Sequence, residues 1–467
     1  MTLPHGQDRT VDVAVVGAGT AGLAAYRAAV AAGKRALIIE AGPFGTTCAR
    51  VGCMPSKLLI AAAEAAHHAK HAAPFGVHAE VRVDGREVMD RVRRERDRFV
   101  GFVVEGVEKI PAEDKLLGRA AIVAPGELAV GDARVHATAI VIATGSSPVV
   151  PSAFEGLGDR VVINDDVFSW NELPPSVAVF GAGVIGLEIG QALARLGVRV
   201  RIFGRNGGVA GLSDPDVRRA ALQAFQAELP FDPDAKVLQL ARVGESVTVR
   251  FVDVDGSERT ESFAYALVAA GRRPNLAGLG LERAGVARAP GEGVAYDPKT
   301  LQCGTSSVFL AGDVNDDVPL LHEAADEGRI AGENAARFPD VRAGLRRSRL
   351  SIVFTEPQIA VVGTRFSDLG RDRAIVTGEV SFVDQGRSRV MLQNQGLLHV
   401  YADAKTGRFL GAELAGPRAE HLGHLLAWAH QQELTIAQML TMPFYHPVVE
   451  EGLRTALRDA QSKLSHL

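Results

Sequence analysis

Cysteine is scarce in this chain, with three in 467 residues, which excludes a disulfide-stapled secreted scaffold and leaves cysteine only local work to do. No run approaches the roughly 20 apolar residues of a membrane span, and the first ten residues hold no apolar stretch of signal length. The expectation is therefore a cytoplasmic protein with no membrane partner. An excess of one charge is also missing: the formal net charge is −4 and the isoelectric point near 6.4, so no global field draws the chain to nucleic acid. There is no low-complexity tract. With 47% apolar and 23% charged residues the composition is that of a globular protein with substantial cores, which excludes intrinsic disorder.

Glycine is plentiful, with 50 residues, and its placement carries information. Val11–Val16 is a short apolar run followed by Gly17-Ala18-Gly19-Thr20-Ala21-Gly22 and an alanine-rich segment reaching Ala32, which predicts strand, tight turn and helix. A second apolar strand over 35–39 ends at Glu40, where an acid that grips a ribose hydroxyl is expected. Gly17 makes the turn, Gly19 lets a pyrophosphate approach the backbone, and Gly22 lets helix and strand pack closely. The design recurs 164 positions later: Val177–Phe180, then Gly181-Ala182-Gly183-Val184-Ile185-Gly186, a helix through Leu196 and a strand over 199–203. Two dinucleotide sites are expected; a glycine turn serving only close helix–strand packing would read the same in isolation.

Two of the three cysteines, Cys48 and Cys53, stand five apart in Thr47-Cys48-Ala49-Arg50-Val51-Gly52-Cys53-Met54-Pro55-Ser56-Lys57. Five residues of regular helix rise about 7.5 Å, and a disulfide wants Cα atoms roughly 4.4–6.8 Å apart. The Cys48 end must therefore leave helical geometry if the sulfurs are to bond. The alternatives are two buried thiols or half of a metal site, and the latter lacks a second Cys/His pair at finger spacing. Elsewhere, 307–313 reads as a strand delivering Asp313 to a loop, and 323–338 as a helix. From Ser351 onward the pattern changes to spaced strands, such as 396–402 and 409–415, then helices near 418–432 and 447–461. Cys303 reads as a buried residue in a strand, His67 and His71 as surface histidines at zinc-like spacing without a third ligand, and 91–98 as a solvated helix face.

The two glycine turns, the cysteine run ending Pro55-Ser56-Lys57, Ala143-Thr144-Gly145, Gly271-Arg272-Arg273-Pro274-Asn275 and Ala311-Gly312-Asp313 together resemble the class I pyridine nucleotide-disulfide oxidoreductases. The resemblance runs from residue 11 to beyond 450, and the dihydrolipoamide dehydrogenases are the branch it favours. It implies an α/β fold: two Rossmann-like dinucleotide-binding domains, for FAD and NAD(P), plus a C-terminal α+β dimerisation domain. The expected boundaries are an FAD domain at 1–150, an NAD(P) domain at 151–275, a central segment at 276–347 completing the FAD site, and an interface domain at 348–467. FAD would lie on Gly17, Gly19, Gly22 and Glu40, with Lys57, Gly145, Gly312 and Asp313 around it and His322 near the flavin. NAD(P) would lie on Gly181, Gly183, Gly186 and Gly271, with Glu188 paired to Lys57. Cys53 would face the flavin across a Cys48–Cys53 disulfide, and Cys48 would exchange with substrate.

The resemblance also supplies a base. In Phe444-Tyr445-His446-Pro447-Val448-Val449-Glu450-Glu451, Pro447 can open a helix and leave His446 at its entry, with Glu451 a turn inside to orient the imidazole. Family members take this pair from the other subunit, so a homodimer is implied, acting on a lipoyl-bearing protein or a small disulfide. Three departures stand out. Thr46 replaces a typical glycine and Arg50 a typical asparagine. At the second dinucleotide site Gly204 stands where Glu40 stands in the first, followed by Arg205. An acid there would repel a 2′-phosphate and an arginine would attract it, which tilts the reading from NAD toward NADP. Arg199 and Arg201 alternate on the preceding strand, either pointing to one face or standing as solvated arginines of an edge strand. An NADPH-driven small-disulfide reductase resembling glutathione reductase, and a flavoprotein subunit or redox sensor without turnover, remain as alternatives.

Overall fold

The computed structural model describes residues 8–289, 293–370 and 374–466. The chain divides into two compact units, which it leaves and re-enters: one runs through Pro55, Arg93–Val149 and Arg272–Arg347, the other through Ser56–Val92, Val150–Gly271 and from Ser348 onward.

In the first unit a seven-stranded sheet runs in the order Lys115–Leu117, Ala36–Glu40, Arg9–Val16, Ala133–Ile142, Glu127–Val130 and Ala120–Ala124, with Val308–Leu310 also paired to Ala133–Ile142. Arg9–Val16 is parallel to both neighbours, with Val13 beside Ala36 and Ala139. Its last four residues are wholly buried, as a parallel strand covered on both faces requires. The helix Thr20–Ala31 packs against Leu321–Arg337 so closely that a Cβ on Gly328 or Gly332 would lie 2.1 Å from the Ala21 carbonyl oxygen or 2.3 Å from that of Ala25. Glycine inside a helix costs about 1 kcal/mol relative to alanine; two in succession here let the helix backbones touch. The strand expected over 307–313 shrinks to Val308–Leu310. Cys303 is buried as expected but lies outside any strand, next to the isolated bridge of Gln302 with Phe309.

The second unit holds a parallel sheet in the order Phe231–Asp232, Arg199–Phe203, Ser176–Phe180, Tyr265–Val268 and Val161–Val162, with a three-stranded antiparallel sheet of Lys236–Val243, Ser246–Val252 and Glu258–Phe263. Arg199–Phe203 has a neighbour on each side and is not an edge strand. The same unit contains a five-stranded antiparallel sheet, Leu350–Val353, Gln358–Gly363, Phe409–Gly416, Leu397–Asp403 and Ile375–Ser381 in spatial order. Its core draws on Leu398, Val400, Leu414, Leu422, Leu453 and Leu457, side chains that alternate along the strands and repeat along the helices Ala419–Gln431 and Glu450–Leu464. Glu450–Leu464 packs on the strand Ile375–Ser381, with the Ala456 carbonyl oxygen 2.2 Å from where a Cβ on Gly378 would be, so the absent side chain lets helix and strand backbones approach.

Candidate active site

The two glycine turns are near-copies. Gly17 has φ +107° and Gly181 φ +123°, and a Cβ on either would meet the carbonyl oxygen of Ala143 at 2.3 Å or of Ala269 at 2.2 Å. Gly22 and Gly186 lie against the carbonyl oxygens of Gly17 and Gly181, at 1.8 and 2.0 Å from a Cβ. Only glycine fits at all four. Gly19 and Gly183 differ: no atom lies within 4 Å of a Cβ there, and each opens a helix, Thr20–Ala31 or Val184–Arg195, without a side-chain cap. Open space before uncapped helix N–H groups is what a pyrophosphate occupies, so both turns fit a dinucleotide.

Around the first turn, Glu40 accepts from the Ala18 N–H at 2.7 Å and from the Gly42 N–H at 2.8 Å. Each carboxylate oxygen keeps a lone pair for a ribose hydroxyl, and the same carboxylate stiffens the turn. Asp313 accepts from the Ser146 hydroxyl at 2.8 Å, which accepts from the Arg272 Nε at 2.8 Å. Gly145 makes the turn just before Ser146, and its carbonyl accepts from the Asn275 N–H at 2.9 Å. Gly312, whose φ is +79°, is held by Glu327, which accepts from the Gly312 N–H and the Asn315 amide, each at 2.7 Å. Glu327 is 1% exposed and ion-paired with Arg346 at 2.9 Å. Burial, partly offset by Arg346 and these hydrogen bonds, pushes its carboxyl up to about 6. Sequence reasoning missed Glu327; the signal was Glu323, Asp326 and Glu327 falling on the buried side of an otherwise alanine-rich helix. His322 lies at the start of that helix with a buried Nε2 that lacks a hydrogen-bond partner.

The cysteine run is two helices, not one distorted helix. Cys48 is itself helical, within Thr47–Val51, and Cys53 opens Cys53–Lys70; the departure expected at Cys48 falls at Gly52, with φ −123° and ψ −119°. A Cβ on Gly52 would lie 3.1 Å from the Cys48 Cα, so the missing side chain lets the chain turn tightly against Cys48. Cys48 is half-buried and Cys53 exposed. Thr46 caps the first helix, its hydroxyl accepting from the Ala49 N–H at 3.3 Å, which accounts for a hydroxyl residue where glycine is typical. Arg50 donates to the Phe44 carbonyl at 3.2 Å, tying the helix to the turn before it.

In the second unit, Lys57 and Glu188 form an ion pair at 2.7 Å with Glu188 4% exposed. Glu188 also accepts from the Phe354 N–H at 2.9 Å, and the Lys57 ammonium lies 4.5 Å from the centre of the Phe354 ring. The second glycine turn opens on a cavity of about 650 Å³ whose lining includes Gly181, Gly183, Phe203, Gly204, Arg205 and Val237. Gly271, with φ +109°, follows Ala269 and Ala270 of the same wall. Gly204 cannot carry a side chain in place, because its Cβ would lie 2.7 Å from the Pro233 carbonyl oxygen. Arg199 and Arg201 are turned elsewhere: Arg201 pairs with Asp253 at 3.2 Å and Glu261 at 3.0 Å, Arg199 with Glu261 at 3.3 Å. Both reach Glu261 and so point to one face; they are not solvated arginines of an edge strand. Arg205 is the charged residue of the cavity lining.

His446 and Glu451 come together, with His446 Nδ1 3.0 Å from Glu451 Oε2. Pro447 does not open the helix, which begins at Glu450: Glu451 also accepts from the Val448 N–H at 3.4 Å and so closes a turn ahead of it. Arg454 donates to the other oxygen at 3.1 Å. Desolvation pushes the Glu451 carboxyl up, but the Val448 N–H, His446 and Arg454 more than offset it and leave it below its ordinary value. With Nδ1 engaged, Nε2 is the nitrogen that can accept a proton, on a ring 80% exposed. His67 is half-buried rather than on the surface, and burial with Arg195 nearby pushes it down to about 4; no metal-binding cluster occurs among the described residues. No helix among them is long and apolar enough to cross a membrane.

Residues 11–328 match the family described as pyridine nucleotide-disulphide oxidoreductase, and residues 350–457 match that family's dimerisation domain, which supports a homodimer. The chain is similar to dihydrolipoyl dehydrogenases: 30% identical to that of Halobacterium salinarum with 97% of each chain covered, and 29% identical to that of Bacillus subtilis with 98% of this chain and 97% of the relative covered. Its fold is similar to that of the HOCl-induced flavoprotein disulfide reductase RclA from Escherichia coli, with a TM-score of 0.80 at 23% identity, covering 97% of this chain and 99% of that one.

Proposed function

Because the chain belongs to the pyridine nucleotide-disulphide oxidoreductases, an FAD- and NAD(P)-dependent family of mixed α/β enzymes with a C-terminal antiparallel domain, we propose that it is a dihydrolipoamide dehydrogenase that draws its electrons from dihydrolipoyl groups in the cytoplasm. The observation that carries the reading is the His446–Glu451 pair at 3.0 Å in a chain that also holds the Cys48–Cys53 pair across the Gly52 break.

His446 Nε2 takes the proton of one substrate thiol, and Glu451 holds the tautomer and stabilises the imidazolium. The resulting thiolate attacks Cys48 Sγ of the oxidised pair, forming a mixed disulfide and releasing Cys53 as thiolate. Cys53 opens the helix Cys53–Lys70, and a helix N-terminus favours a thiolate. The second substrate thiolate then attacks the sulfur bonded to Cys48. The substrate closes to its disulfide, and the Cys48 thiolate takes a proton. Two electrons have moved to the cysteine pair. FAD, when bound, supplies the carrier between Cys53 and the nicotinamide. Glu40, Gly145, Gly312 and Asp313 would hold it; Lys57, fixed by Glu188, would set the electrostatics of its ring; Gly181, Gly183, Gly186, Gly271 and Arg205 would hold NAD(P). His446 is supplied by the second subunit on this reading, so an isolated subunit has no turnover.

NADP(H) is the favoured nicotinamide, on Gly204 and Arg205. That same feature favours a second reading, an NADPH-driven reductase of a small disulfide. Purified protein assayed with dihydrolipoamide and with glutathione disulfide, each against both nicotinamides, tests the two. Turnover of dihydrolipoamide is the expected result; turnover of glutathione disulfide alone favours the second reading, and turnover of neither refutes both.

A further inference from the structure

Glu451 alone does not fix the turn that carries His446. The His446 ring is 80% exposed, and the bond from the Val448 N–H to Glu451 is long, at 3.4 Å. A second fastening comes from a different element. Gln385 Nε2 donates to the Val448 carbonyl at 2.8 Å. Its Oε1 accepts from both the N–H and the hydroxyl of Ser388, at 2.7 and 2.8 Å, and Ser388 is fully buried.

The arm that carries Gln385 is itself anchored. Phe382 is fully buried, and its N–H donates to the Gly396 carbonyl at 3.1 Å. Where a Cβ would stand on Gly452, two residues past Glu450, the Phe382 ring lies at 3.2 Å and the Gln385 Cγ at 3.4 Å. Gly452 thus lets the Gln385 stem lie on the first turn of the helix that bears Glu451. Val448 is gripped at both backbone groups, by Glu451 at its N–H and by Gln385 at its carbonyl. Because Glu451 Oε2 serves both the Val448 N–H and His446 Nδ1, moving Val448 disturbs the histidine's orientation.

We propose that Gln385 is a positioning residue for the proton-accepting His446, fixing the 446–449 turn through the Val448 carbonyl. The inference rests on the reading of His446 as the base. A base must stand within roughly 2.6–3.2 Å of the proton it removes, so a turn that drifts by an ångström loses rate without losing the fold. Of the charged groups near this turn in sequence, Asp384 and Arg389 pair with each other at 3.0 Å and Glu451 with Arg454 at 3.1 Å; Arg387 and Glu450 flank them. None replaces the amide donor at Val448.

The test uses two variants of the flavin-loaded enzyme with dihydrolipoamide as substrate. Gln385→Glu keeps the shape and the acceptor side but, when ionised, has no proton for the Val448 carbonyl. Its kcat at pH 8 should fall about tenfold, a part of the roughly 10²–10⁴-fold that a general base contributes. The ratio of its rate to wild type should then climb as pH falls toward 5, because a protonated carboxyl can donate again. Gln385→Leu should show the same loss with a flat ratio. Flavin content and melting temperature, read on each protein, identify a variant that has simply failed to fold. Wild-type kcat in both variants, or a flat ratio for Gln385→Glu, would overturn the inference. His446→Gln separates the two layers: if it retains full turnover the base assignment fails, whereas if it is inactive and the Gln385 variants are normal only Gln385 falls.

Discussion

Replacing Arg205 by alanine tests the nicotinamide preference most directly. The dinucleotide cavity has one charged residue in its lining, Arg205, and no carboxylate. Arg199 and Arg201, the cations on the preceding strand Arg199–Phe203, are held by Asp253 and Glu261 and cannot swing to replace it without breaking ion pairs. A hydrogen bond to a charged group contributes about 1.5–3 kcal/mol. Arg205 is exposed, so solvent screening puts the expected loss at the lower end, about 1.5 kcal/mol, which is roughly tenfold in affinity. Arg205→Ala should therefore raise KM for NADP(H) about tenfold and leave KM for NAD(H), which has no 2′-phosphate, within about twofold.

Steady-state rates of nicotinamide-driven dye reduction, measured with both cofactors, give the two values without involving the disulfide substrate. Ionic strength provides a second reading: at 0.15 M the screening length is about 8 Å, so the wild-type KM for NADPH should rise with salt more steeply than that of the variant. Equal losses for the two cofactors would refute the assignment, as would an unchanged KM for NADPH. Gly204→Glu is not the converse experiment. Its Cβ would stand 2.7 Å from the Pro233 carbonyl oxygen, so a carboxylate cannot be installed there without moving the turn.

Three further outcomes are expected. Cys48→Ser should abolish dihydrolipoamide oxidation while FAD stays bound, read by flavin absorbance and turnover; undiminished oxidation would remove Cys48 from the exchange. Glu451→Gln leaves an acceptor for His446 but no charge to stabilise the imidazolium, and kcat for the dithiol should fall at least tenfold with little change in KM for the nicotinamide. Glu327 governs a pH dependence of stability: its carboxyl is raised by burial to about 6 from 4.5, so its stabilising contribution is complete below pH 4.5 and is lost as pH rises through 6. The shift corresponds to about 2 kcal/mol, and Glu327→Gln, which cannot ionise, should lack this component when melting is compared between pH 4 and 7. Parallel pH profiles for variant and wild type would show that Glu327 does not titrate in that window.

The elements that bear the glycine turns were legible because only one residue type suits their geometry. Gly17 and Gly181 share a left-handed φ and a carbonyl at 2.2–2.3 Å, and a constraint that strict writes itself into the sequence as a repeated pattern. The strand over 199–203 and the helices near 418–432 and 447–461 were legible for the usual reason, since buried side chains recur at the period of the element. What periodicity could not reveal was which strand lies at an edge. The alternation of Arg199 and Arg201 fits a solvated edge and an internal strand alike, and the difference lies in Asp253 and Glu261, more than fifty residues away in the chain.

The same limit explains why the residues proposed to react could be picked out of the sequence and their supports could not. Cys48, Cys53, His446 and Glu451 were candidates because the proposed chemistry restricts each to one or two residue types at a fixed local spacing. A support is chosen by reach. Gln385 acts on a carbonyl 63 positions away and Glu327 on an N–H fifteen positions away, and any side chain with a donor or acceptor at the right length could serve. Thr46 and Arg50 show the converse. Each departs from the residue typical of its place, yet one caps a helix at 3.3 Å and the other ties that helix to the Phe44 carbonyl at 3.2 Å. The departures nearest the cysteines therefore bear on how the first helix is held. If substrate choice separates this chain from its dihydrolipoyl dehydrogenase relatives, the difference is to be sought in Arg205 and in the turn fastened by Gln385.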